Sequence, residues 1–296
     1  MSSATAAEVS IETTGRPRGV LRKLLRRPRF VISATALSLL VLMAVAPAPF
    51  AGIFGHGDPR ACDLARSGSG AAPGHPFGFD IQGCDLYAQV VYGARPSITI
   101  GIAVTLISVL VAVAVGSIAG YYGGVVDSVL GRVIDVFYGF PFIVAAIVIL
   151  TAVGVRNIWT VCAALAAFSW PTMTRVMRSS VIVAKNAEYV RAARALGASD
   201  LRILRRHILP NAFAPVLVLA SLSVAGIIAG EASLTFLGVG LQPPTISWGV
   251  QLNTAQSYFN SASHLLLYPS IFLSVTVLAF VLLGDAVRDA VDPKAH

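Results

Sequence analysis

Charge is scarce in this chain of 296 residues. Asp, Glu, Lys and Arg make up only 12% of it, where soluble domains carry roughly 25%. Between Ala232 and Gly284 there is no acid and no Lys or Arg at all. So little polar surface cannot coat a globule, and a soluble fold is excluded. Catalytic signatures are missing too: no Walker phosphate loop, no HExxH, no Cys-x-x-Cys pair and no nucleophile elbow. The five histidines, at positions 56, 75, 207, 264 and 296, fall on loops and termini without ligand spacing and read as solvated or interfacial. Neither an enzyme nor a metal site is expected, and no cofactor is expected on this chain. Acids inside the apolar runs are rare as well, which argues against an ion-coupled carrier; Glu231 is the exception.

What the chain has in quantity is apolar sequence: 56% hydrophobic residues and a mean hydropathy of +0.76. This is the composition of an all-α, polytopic membrane protein. Its net charge of +8 does not point to nucleic acid, because the basic residues cluster beside apolar runs. Seven lie between Arg16 and Arg29 and eight between Arg175 and Arg206, the pattern of cytoplasmic loops.

Along the chain, residues 1–29 form a basic cytoplasmic tail and residues 30–50 a first span. A cleavable signal peptide competes for this stretch through its Ala-Val-Ala-Pro-Ala string; the long apolar run and the spans that follow favour an uncleaved helix. Residues 51–96 form a near-neutral outer loop with a flexible SGSGAAPG connector. Residues 97–284 form the core. Its spans are expected at Ser97–Gly120, Val136–Val153 (kinked at Pro141), Ile158–Met173, Ala212–Leu237 and Leu265–Gly284, and residues 285–296 end inside. Six spans put both termini in the cytoplasm and the basic insertion 175–211 inside with them. Trp248 is expected at interfacial depth. Cys162 reads as a small packing residue.

The insertion Glu188–Asn211 is amphipathic. Val190, Ala193 and Leu196, then Leu201 and Leu204, recur at helical spacing. Gly197 divides two short helices, letting them approach and turn, and Pro210 is expected to stop the second. Glu231 has two open readings: it fixes helix packing, or it lines a polar pathway at a subunit interface.

RAARALG followed by nine residues and HILP resembles the cytoplasmic EAA loop of ABC importer permeases. Ala192, Ala193, Gly197, Leu209 and Pro210 match that pattern, with Arg191 in place of its Glu and His207 in place of Ile. HPFGFDIQGCDLYAQVVYGARPSITIG (75–101), GEASLTFLGVGLQPPTISWG (230–249) and LLGDAVRDAVDP (282–293) resemble the dipeptide/oligopeptide permease C subunits. The resemblance implies a type I importer fold in the cell inner membrane and a paired B-type permease. It further implies ATP-binding subunits that hold ATP and Mg inside, an extracytoplasmic peptide-binding protein, and peptide as substrate. Nickel–chelate and glutathione importers are close relatives, and an ion-coupled carrier is the alternative from another class. The loop of Val190, Arg191, Ala192, Ala193, Arg194, Leu196, Gly197, Leu201, Leu209 and Pro210 is then the coupling element. Val190, Leu196 and Leu201 are expected in a groove of the ATPase, and the arginines pair with its acids, meet anionic lipid or only enforce topology. Cys84 stands where the family has Arg, so a binding-protein contact made through that arginine does not carry over. Cys62 and Cys84 share the outer, oxidising side and are expected as a disulfide, with two free thiols the alternative.

Overall fold

The computed structural model describes residue 25, residues 27–55 and residues 57–291. Most of the basic tail, His56 and His296 lie outside the described residues. Among those described, nothing longer than an isolated bridge pairs as β-structure, and the elements are helical. They are α1 Pro28–Val45, α2 Pro47–Ala51, α3 Leu86–Tyr122, α4 Gly124–Tyr138, α5 Phe142–Val153, α6 Ile158–Lys185, α7 Glu188–Ala195, α8 Asp200–Phe236, α9 Trp248–Ala255 and α10 His264–Val291. By length and composition α1, α3, α8 and α10 can each cross a membrane, and the α4–α5 pair, bent by 79°, makes a fifth span if counted as one. The expected span at 158–173 is the outer part of α6, whose charge-free stretch ends at Arg175. Leucines such as Leu39, Leu106, Leu110 and Leu278 point outward and exposed, as a surface facing lipid requires.

Several expected boundaries move. The second span begins at Leu86 rather than Ser97, because Asp85 caps it: Oδ1 accepts from the Tyr87 and Ala88 amides at 2.9 and 3.4 Å, and Pro96 lies inside the helix. Arg95 is no boundary marker either. Its Nε and Nη2 donate to the carbonyls of Ala44 and Val45 at 3.0 and 2.6 Å, serving the open C-terminal end of α1. The third span is not a helix kinked at Pro141. The chain breaks at 139–141, Pro141 becomes the N-cap of α5, and the segment expected to be a short inner link is the fifteen-residue α4.

Pro210 does not stop a helix. It sits in the first turn of the regular part of α8, directly after a π turn at Leu204–Ile208. Proline removes one amide donor and crowds the carbonyl four residues back; the wider π turn accommodates both. A second π turn, Ala112–Gly116, lies in α3.

Three of the five hydrophobic clusters among the described residues stack along α3. The outer one, on the side of the 57–85 loop, gathers Leu40, Val90, Val91, Trp248 and Leu265, the middle one Ile100, Val104, Leu150, Leu165 and Leu234, and the inner one, on the side of the basic insertion, Met177, Val181, Val190, Ile203 and Ile208. α3 passes through all of them, and small residues let its neighbours approach. A Cβ on Gly116 would lie 2.8 Å from the Thr174 carbonyl oxygen, and one on Gly120 2.7 Å from that of Arg178. Both obstacles are backbone of α6 and cannot swing aside. Gly120→Val is therefore expected to force α3 and α6 apart, lowering stability by roughly 1–3 kcal/mol. Thermal unfolding of the purified protein in detergent measures this; an unchanged midpoint would show that the two helices are not in close contact there.

Candidate functional site

Two regions of the molecule carry the residues singled out in the sequence, one at each end of the helical core. At the inner end, α7 is closed by a Schellman motif. The Ala198 amide donates to the Ala193 carbonyl at 3.1 Å and the Gly197 amide to that of Arg194 at 3.0 Å. Gly197 takes φ +80°, the left-handed conformation this motif demands. A Cβ there would meet nothing within 4 Å, so Gly197 serves the turn and not a close approach.

The apolar face of this element divides in two. Val190 and Ala193 are buried against Ile203, Ile208 and Met177 of the same chain. Leu196 and Leu201 are 88% and 63% exposed. The expectation that Val190 enters a partner groove is corrected: its own chain covers it at 1% exposure, and only Leu196 and Leu201 remain for a partner. Around them Arg191, Ala192, Arg194, Arg202, Arg205 and Arg206 are exposed, while Leu209 is half-buried. Arg191 also reaches the Asn186 carbonyl at 3.4 Å.

Polar contacts beneath this element were not legible in the sequence. Tyr121, at the inner end of α3, is 3% exposed, and its hydroxyl donates to Asp200 Oδ1 at 2.5 Å. Arg194 Nη2 donates to that same hydroxyl at 3.4 Å, and the Lys185 ammonium to the Tyr121 carbonyl. Beside them Arg178 holds Asp127 through two bonds of 2.5 and 2.6 Å, and Arg175 holds Asp135 at 2.6 Å. The sequence spacing of these pairs gives no local signal.

At the other end, residues 57–85 fold over the helix ends, and Cys62 and Cys84 are joined by a disulfide. Asp80 organises this cap. Its Oδ1 accepts from the Gln82 and Cys84 amides at 2.8 Å each, and its Oδ2 from Gln89 Nε2 at 2.7 Å. His75 is not solvated as expected: it is 7% exposed, with Nδ1 2.8 Å from Asp85 Oδ2. Trp248 is fully buried within the chain, and its indole N–H donates to the Val90 carbonyl at 2.9 Å. Between the cap and the 243–246 turn lies a cavity of about 570 Å³ lined by Arg60, Asp80, Gln82, Gln89 and Gln251 among others.

Glu231 is wholly enclosed by its own chain. Its Oε1 accepts from the Thr235 hydroxyl at 2.9 Å, and the Thr235 oxygen accepts from the Leu241 amide at 3.0 Å. The carboxyl thereby pins the turn that leaves α8. Ser97 of α3 lies beside it, while Glu231 Oε2 and Ser97 Oγ form no hydrogen bond. Cys162 is buried and free. No cluster of metal-ligating side chains occurs among the described residues.

A chain that passes through the membrane several times, with an amphipathic element projecting at one end and a cross-linked cap at the other, matches one family model. It is that of the binding-protein-dependent transport system inner membrane component, over residues 112–296. The chain belongs to this family. The permease is 38% identical over 262 residues to the glutathione transport system permease protein GsiD of Pectobacterium atrosepticum, covering 88% of this chain and 87% of that one. It is 39% identical over 221 residues to the dipeptide transport system permease protein DppC of Bacillus subtilis, covering 74% and 69%. Among solved structures, the inward-facing MetNI methionine ABC transporter superposes with a TM-score of 0.57 at 16% identity, over 69% of this chain and 97% of that one. At that identity the likeness speaks for the fold. The permease is thus a membrane component of a transport system, with the helical fold of ABC transporter permeases.

The bonded pair in the cap has a direct check. Cys62 and Cys84 should resist a membrane-impermeant maleimide in intact cells and label only after reductant. Labelling without reductant would remove the cross-link. In the chain-entropy account, closing a loop of this length contributes about 3 kcal/mol, so Cys62→Ser should lower stability by an amount of that order.

Proposed function

We propose that this chain forms half of the translocation pathway of an ATP-driven importer of short peptides, glutathione included, and carries no catalytic site of its own. ATP and Mg are held by separate ATP-binding subunits inside. A second, B-type permease completes the pathway, and a binding protein delivers peptide from outside. The chain crosses the membrane six times with both termini in the cytoplasm; the α4–α5 pair and the charge-free part of α6 supply the two spans beyond the four long apolar helices. Relatives named for dipeptide and glutathione transport support the substrate class.

The observation that carries the coupling role is the two-sided α7–α8 element. One face is fastened to its own chain through Val190, Ala193, Ile203 and Ile208. The other leaves Leu196 and Leu201 in the open, ringed by arginines. Bare leucines among bases on the cytoplasmic side are suited to an apolar groove with acidic rims. Because the element cannot move independently of its own inner face, a stroke of the ATP-binding subunit is delivered to the helices. Glu231 acts in packing: it holds the exit of α8 beside Ser97 of α3.

Substituting Leu196→Asp together with Leu201→Asp is expected to leave the permease inserted while the ATP-binding subunits no longer copurify. Burying a leucine contributes about 1.5–3 kcal/mol, so the pair should weaken association by more than about a hundredfold. Retention of those subunits by the variant would sink the docking assignment. Uptake of labelled peptide should collapse on ATP depletion and persist with a proton uncoupler; the reverse pattern would mean an ion-coupled carrier.

A further inference from the structure

We infer that Tyr121 is the positioning residue through which movement of the coupling element enters the long helix α3; this rests on the coupling role proposed for residues 188–211. Four pieces of chain converge on this one residue. It lies at the end of α3, its hydroxyl donates to Asp200 in the first turn of α8 at 2.5 Å, and the same oxygen receives Arg194 of α7 at 3.4 Å. Its carbonyl receives Lys185, the last residue of α6.

The rest of the coupling element meets the core through apolar contacts among Val190, Ala193, Ile203 and Ile208. Such contacts hold the element firmly but are non-directional. Hydrogen bonds are directional and weaken steeply when bent. The apolar packing therefore holds the element on the core, and the hydrogen bonds at Tyr121 fix its angle to α3.

What Tyr121 receives, α3 carries far. The helix has 37 residues, about 55 Å at 1.5 Å per residue. Near its other end the carbonyls of Gln89 and Val90 accept from Gln251 and Trp248 at 2.8 and 2.9 Å, beside the outer cavity, which both Gln89 and Gln251 line. The continuation past Tyr121 does not share the load. Gly123 and Gly124 take φ +67° and +55° and end the helix, and α4 is fastened separately to α6 through Asp127–Arg178 and Asp135–Arg175. α3 thus links the coupling element to the outer face beside α8, and the Tyr121 hydroxyl is the hydrogen-bonded joint between α3 and the element.

The test is Tyr121→Phe in the complete transporter, with its ATP-binding subunits and binding protein, reconstituted in vesicles. Phenylalanine keeps the buried ring, so folding and copurification of the ATP-binding subunits should persist. Peptide imported per ATP hydrolysed should fall about tenfold, as loss of a hydrogen bond to a charged acceptor implies, while basal hydrolysis stays within about twofold. Asp200→Ala, which removes the acceptor, should alone reproduce the loss, and added to Tyr121→Phe it should deepen it by less than about twofold. Unchanged import per ATP in Tyr121→Phe would overturn the inference. So would a proportional fall of import and hydrolysis together, or two substitutions whose effects multiply. The docking assignment fails separately: there the Leu196→Asp, Leu201→Asp permease keeps its ATP-binding subunits. If that variant releases them and Tyr121→Phe still couples, only the role of Tyr121 is lost.

Discussion

Close approach along α3 is the constraint on which the rest of the structure depends. In a bilayer, lipid chains are as apolar as leucine, so helices gain little from hiding side chains against each other and must associate through tight contact. α3 meets three neighbouring helices through four glycines. Gly93 lies against Trp248 and Gln251, Gly101 against Ile228 and Val224, Gly116 against Thr174 and Met177, and Gly120 against Arg178 and Val181. Because these contacts are spread from the outer cap to the inner face, α3 fixes the positions of α9, α8 and α6 together. Small hydroxyl residues follow the same logic. Ser108 of α3 and Ser169 of α6 bond at 2.5 Å, and Thr174 returns its hydroxyl to the Trp170 carbonyl of its own helix at 2.9 Å. A side chain that satisfies itself locally can sit in a crowded apolar seam without a distant partner.

The irregularities of the long helices are concentrated where that seam meets the inner face. Pro96, Pro171, Pro215 and Pro269 each lie inside a helix; the carbonyl freed by Pro171, that of Ala167, accepts from the Trp170 indole N–H at 2.9 Å, one way such a break is tolerated. The two π turns are different. Both Ala112–Gly116 and Leu204–Ile208 fall within the part of the molecule that packs around Tyr121 and the coupling element. A π turn widens the helix locally and weakens its hydrogen-bond ladder, so the ladders of α3 and α8 are loosened next to the coupling element.

Much of this was legible in the chain itself. Spans show because an uncharged apolar run of about 20 residues matches the thickness of a hydrocarbon core and exceeds most buried helices of soluble domains. The inner element shows because its bases and its 3.6-residue period stand out between those runs. Boundaries were lost where a local signal has a distant partner. Arg95-Pro96 looks like the start of a helix, yet Arg95 is used by α1. Nothing local to Trp248 shows that its N–H is held by the Val90 carbonyl, 158 residues away. His75 looks like a loop histidine until Asp85 folds back on it. Periodicity identified the apolar face of α7 but could not say which residues the chain would cover itself. Val190 and Leu196 lie on the same stripe and are both apolar, and only the tertiary packing separates them.

That separation has a mechanical consequence. A coupling helix that presented its whole apolar stripe to a partner would be held mainly by that partner and would rotate within its own subunit. Here the stripe is shared. Val190 and Ala193 commit α7 to the core, the left-handed Gly197 turn sets its angle to α8, and Leu196 and Leu201 flank that turn on the outside. The exposed pair therefore sits at the bend itself. Force applied at a bend whose two arms are both anchored displaces the arms together rather than unfolding either one. The second arm continues without interruption into α8 as far as Phe236, and Glu231 ties the far end of α8 to the turn at Leu241. The displacement therefore has a continuous helical route across the membrane on this side as well as along α3.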